Sequence, residues 1–108
     1  MDSTAKIREL NDALRSLTGE GRIVFTAGIS ALPSPQQAEI VNRVFAFSDF
    51  TPDNDPHGEH DFGRIEFAGT SIFWKIDYYD RDLKFGSPDP ADEAVTTRVL
   101  TVMLAEEY

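Results

Sequence analysis

Hydrophobic residues recur at helical spacing near the start of the chain. Ile7, Leu10, Leu14 and Leu17 fall on one face of a helix predicted over residues 3–18. Ser3 stands where a capping oxygen is needed, and Gly19 suits the left-handed residue that closes a helix. From Arg22 to Ser30 the period falls to two: Ile23, Phe25, Ala27 and Ile29 point one way and Val24, Thr26 and Gly28 the other, which predicts a strand. A second helix is expected from about Pro35 to Phe47. Ser34 is its N-cap, Gln37 completes a capping box, and Ile40, Val41, Val44 and Phe45 form its apolar stripe.

Residues 64–79 read as a hairpin. Arg64–Ala68 and Ser71–Tyr79 alternate, and Gly69-Thr70 between them suits a type II′ turn. With Ala68 opposite Ser71, Phe67 faces Ile72 and Ile65 faces Trp74, so the large apolar groups share one face with Ile76. The segment 80–91 is polar and turn-rich. Asp89 as a cap, Pro90 at a first helical position, and Asp92 and Glu93 in a first turn predict a third helix running nearly to Tyr108. Val95, Val99, Val102 and Met103 would form its apolar face. The expected order is α-β-α-loop-β-β-α: a single α+β domain over 1–108, with an antiparallel sheet of about three strands covered by helices.

The pattern breaks between Asp49 and Gly63. This stretch holds five carboxylates, both histidines, two prolines, two glycines and no basic residue until Arg64, so it must be an irregular loop. The chain of 108 residues has a net charge of −9, and the excess is not spread evenly. Residues 1–48 hold five acids and five bases, whereas 49–108 hold 14 acids against five bases. Direct nucleic-acid binding is not expected, because phosphate contacts need a basic face. A basic protein partner is favoured instead. The absence of cysteine excludes a disulfide framework or a thiolate metal site in these residues. No run approaches the ~18 apolar residues of a membrane span, and Met1-Asp2-Ser3-Thr4 lacks the start of a signal peptide, so a soluble, cytoplasmic protein is expected. Thr18-Gly19-Glu20-Gly21 follows a helix and lacks the Gly-Lys-Ser/Thr ending of a phosphate loop, so it reads as a turn.

Three motifs together carry a resemblance. The loop Asp49–Gly63, then Phe73-Trp74-Lys75-Ile76-Asp77-Tyr78-Tyr79-Asp80, then Ser87-Pro88-Asp89-Pro90 with Arg98-Val99-Leu100-Thr101 beyond, resemble the small bacterial family catalogued as domain of unknown function 3768. The resemblance runs from about Ile7 to Tyr108. It implies a bacterial accessory protein and brings no catalytic assignment with it.

Several chemistries fit the acidic loop. Asp53-x-Asp55-x-His57-Gly58 matches the first half of a calcium loop, yet Arg64 stands where the bidentate Glu belongs. His57 and His60, with Asp53 and Asp55, are candidate ligands for a divalent transition metal. General acid–base work by His60, oriented by Asp49 or Asp61, would lack a partnered nucleophile. Aspartates beside Pro and Gly also stabilise turns through their own backbone, which accounts for such a composition without any ligand. The leading reading joins the loop to the 77–93 segment as one negative interaction surface, carried by Asp49, Asp53, Asp55, Glu59, Asp61, Asp77, Asp80 and Asp82. Such a surface could occupy the nucleic-acid groove of a basic partner and need no cofactor.

Overall fold

A computed structural model describes residues 3–108. The first helix, α1 (Ser3–Arg15), buries Ile7, Leu10 and Leu14 as the spacing requires. It ends earlier than expected. Ser3 lies inside it rather than capping it, and the left-handed residue after its last turn is Leu17, not Gly19, with φ 60° and its side chain in solvent. Gly19 is needed for space instead, because an added Cβ would meet Ala13 at 2.8 Å.

The alternating segment from Arg22 is a strand only as far as Phe25. After β1 (Arg22–Phe25), Thr26 turns the chain into a single helical turn, α2 (Ala27–Ser30), whose Ile29 is fully buried. Next comes α3 (Ser34–Ala46), with Pro35 in its first turn and Ile40 and Val44 buried. The capping box expected at its start does not form. Gln37 reaches back instead, donating to the carbonyls of Ser30 and Leu32 at 3.1 and 2.7 Å.

The hairpin comprises β2 (Phe62–Phe67) and β3 (Thr70–Tyr79), turned by Ala68-Gly69 rather than Gly69-Thr70. Both turn residues have positive φ, 51° and 80°, as a type I′ turn requires. The register therefore pairs Phe67 with Thr70, Ile65 with Ile72 and Gly63 with Trp74. A displacement of two residues preserves the faces. Ile65, Phe67, Ile72, Trp74 and Ile76 still line the core.

The expected third helix is a strand. A 3-10 turn at Glu93–Val95, capped by Asp92 rather than Asp89, leads into β4 (Thr97–Leu104), and a second 3-10 turn covers Ala105–Glu107. Threonine and valine supply half of β4, and such side chains pack better on a pleated surface than on a helix. The sheet has four strands in the order β1-β4-β3-β2 and is mixed, because β1 runs parallel to β4. The α+β class holds, while three antiparallel strands become four in a mixed sheet. Leu14, Ile29, Ile40 and Val44 from the helices meet Ile72, Trp74, Ile76, Leu100 and Val102 on one sheet face. On the other face Phe62, Phe73 and Tyr108 pack edge to face.

These strand directions bring three connections to one end of the sheet. The α1–β1 turn, the loop before β2 and the segment between β3 and β4 all meet there.

Candidate functional site

Helix α1 presents Arg8, Asn11, Asp12 and Arg15 on one flank, spaced three and four apart. Each reaches the acidic loop or the chain beside it. Arg8 Nη1 donates to the Gly58 carbonyl at 2.9 Å, and Asn11 Nδ2 to the Glu59 carbonyl at 3.0 Å. Asp12 Oδ1 lies 2.9 Å from His60 Nδ1. An ionised carboxylate only accepts, so this nitrogen carries the proton. Arg15 is buried and donates to the Val44 and Phe47 carbonyls at 2.9 and 2.8 Å, where the negative end of α3 favours a cation. Its guanidinium sits 4.7 Å from the Trp74 ring centroid.

The loop's own chemistry fixes its shape. Asp55 is buried, and its Oδ1 accepts from the backbone N–H of Glu59 and His60 at 3.1 and 3.2 Å. Those bonds hold His60 at φ 56°, a left-handed conformation that a non-glycine residue adopts only under constraint. The imidazole then stacks on Phe50 at 3.8 Å, and its Nε2 lies 3.8 Å from Asp55 Oδ2. Asn54 closes the preceding turn, accepting from Thr51 N at 2.8 Å and donating to the Asp49 carbonyl at 2.8 Å.

A second chain of bonds runs inward. The buried Arg98 donates from Nε to Asn11 Oδ1 at 2.9 Å. Asn11 Nδ2 donates to the Tyr78 hydroxyl at 2.8 Å, and that hydroxyl donates to Glu59 Oε1 at 2.8 Å. Burial, with Glu59 adding to it, pushes the Tyr78 hydroxyl far above its ordinary value, so Tyr78 stays a donor. Burial and the neighbouring Glu59 charge likewise raise the Asp61 carboxyl.

The eight acidic candidates divide by environment. Asp49, Asp53 and Asp82 are exposed and make no side-chain hydrogen bond among the described residues. Asp55 is internal. Glu59 and Asp61 are half-buried, Asp80 accepts from Lys84 N at 3.0 Å, and Asp77 pairs with Lys75 at 3.1 Å on the sheet face away from the helices. The metal candidates are not gathered. His57 and Asp53 are exposed while His60 and Asp55 turn inward, and among the described residues no group of three or more His, Asp or Glu side chains is placed to hold an ion. The residues that sequence reasoning passed over are Asn11, Asp12, Arg15 and Arg98. For the three on α1 the one advance signal was polar side chains recurring beside its apolar stripe, and Arg98, on β4, had none.

The family description "Protein of unknown function (DUF3768)" matches residues 25–107. The chain belongs to this family. The match begins at the last residue of β1, so α1, which supplies four side chains to the loop, lies outside the matched span. No curated protein and no solved structure matches the chain. Among the described residues no helix is long and apolar enough to cross a membrane.

Proposed function

We propose that this DUF3768 protein is an acidic, cytoplasmic interaction protein that docks a basic partner through the loop end of its sheet. On this reading it modulates or inhibits a nucleic-acid-handling protein by occupying the groove meant for phosphate. The supporting observation is convergence. The acidic loop and the β3–β4 segment share one end of the sheet, where Tyr78, next to last in β3, donates to Glu59 of the loop at 2.8 Å. Exposed Glu20, Asp49, Asp53, Asp82, Asp89, Asp92 and Glu93 lie in these connections, against exposed Arg22, Arg81 and Lys84. A rigid support suits this role, because a held array of charges loses little freedom on binding. Asp55, Asp80, Asp89 and Asp92 each accept a backbone N–H and so stiffen the turns that carry the charge.

The experiment is displacement. Purified basic nucleic-acid-binding proteins are loaded with a fluorescent duplex and titrated with the full chain. Release of the duplex from a subset of them, lost when salt is raised, is the expected result. Failure to release duplex from any of them removes the inhibitor reading.

A further inference from the structure

A crevice of about 210 Å3 opens where the parallel strands β1 and β4 begin, lined by Arg22, Arg81 and Arg98 and by Glu20 and Glu93. Three of the ten basic residues of an acidic protein thus line one small space. None of the three is within 4.0 Å of a carboxylate among the described residues.

Arg98 makes this unusual. It is 3% exposed, and its acceptors are neutral: Asn11 Oδ1 for Nε and the Pro90 carbonyl for Nη2. Nη1 has no protein acceptor among the described residues. No carboxylate closes on this buried cation: Glu59 and Glu93 act on it only from beyond 4.0 Å and the Tyr78 ring centroid lies 5.2 Å away, so an anion entering the crevice could still pair with it. Arg81 spends Nη1 on the Thr96 carbonyl at 3.2 Å, and exposed Arg22 makes no side-chain bond to the described protein. Gly21 borders the same space, where an added Cβ would meet Leu14 at 2.7 Å and the Arg98 carbonyl at 3.2 Å.

We propose that this crevice binds one oxyanion group of a small ligand, a carboxylate or a phosphate, between the three guanidiniums. Planar guanidinium forks match both groups in geometry. Glu20 and Glu93 reduce the lining to one net positive charge, which suits a single small oxyanion better than a polyanion. The volume is below the ~300 Å3 at which pockets begin to enclose drug-sized ligands, so the crevice encloses one group of a ligand and not a whole nucleotide. The crevice shares Glu20 and Glu93 with the acidic docking surface but differs from it in chemistry, because its ligand contacts are the cations of this end of the sheet.

The test is an amide chemical-shift titration of the full chain with sodium acetate and, separately, sodium phosphate, with ionic strength held constant by chloride. Saturable shifts centred on Gly21, Arg22, Thr97 and Arg98 are expected with at least one of the two. Acetate alone assigns a carboxylate ligand, and phosphate alone a phosphate. The Arg22→Gln/Arg81→Gln variant should bind at least tenfold more weakly while keeping the circular dichroism of the parent. If that pair does not fold, Arg22→Gln alone serves, since its side chain bonds nothing in the described protein. No saturable response to either anion, or equal binding by the folded variant, overturns the proposal.

Discussion

Trp74 gathers the core around one side chain. It is fully buried, meets Phe47 and Phe50 edge to face at 5.6 and 6.2 Å, and lies under the Arg15 guanidinium. Across the ladder only Gly63 leaves room for it, since a Cβ there would come within 2.3 Å of the indole nitrogen. Trp74→Ala is expected to cost about 3–5 kcal/mol, and Gly63→Ala about 1–3 kcal/mol through overpacking. Trp74→Phe should cost less than Trp74→Ala, because both remove the indole N–H that is buried without a partner but phenylalanine leaves the smaller cavity. Denaturant melts of the three variants check the order. At the same scale, the raised Asp61 carboxyl has a definite consequence for pH. An acid that holds its proton more tightly when folded costs stability as pH rises from its unfolded value, about 3.8, through its higher folded one. Asp61→Asn should therefore melt higher than the parent at pH 7, and the gap should close on acidification below pH 4. A constant gap across that range would show that the effect is not ionisation.

Elements differ in how much of them the chain declares in advance. The hairpin was legible because large apolar residues alternate, and a turn misplaced by one residue moves the register by two and leaves every side chain on its face. β4 was not. It is central, so Leu100 and Val102 are buried on one face and Met103 on the other, which erases the period of two. Its apolar residues then also fit helical spacing, and only the β-branched composition spoke for a strand. The loop's irregularity was legible from Pro, Gly and Asp, but the anchoring of Asp12 to His60 spans 48 positions and belongs to the packing of α1. That packing centres on Asn11, which bonds Glu59, Tyr78 and Arg98 together. Asn11→Ala would take one partner each from the buried Arg98 guanidinium, the Tyr78 hydroxyl and the Glu59 carbonyl. A loss of at least about 2 kcal/mol is expected. Hydrogen exchange should show faster opening at Glu59 and His60 than in strand β4, where a uniform loss across the chain would mean that α1 does not clamp the loop.

For the whole molecule, charge and fold point the same way. The first 48 residues are neutral overall, and the remaining 60 carry the entire excess of nine negative charges. The topology concentrates the exposed share at the end of the sheet where three connections meet. Several acids there are structural, so neutralising Asp55 or Glu59 would confound folding with binding. Asp53, Asp82 and Glu93 are exposed and accept no side-chain hydrogen bond among the described residues. Glu39, Glu66 and Glu106 are also exposed and lie outside the three connections of that end. The deciding measurement is the association rate, at several salt concentrations, between a basic protein identified by duplex displacement and two folded variants. Asp53→Asn/Asp82→Asn/Glu93→Gln should associate about tenfold more slowly than the parent at low salt and show a flatter salt dependence. Glu39→Gln/Glu66→Gln/Glu106→Gln should stay within about twofold of the parent. Equal rates for both variants and the parent would contradict a docking surface built from the acidic loops.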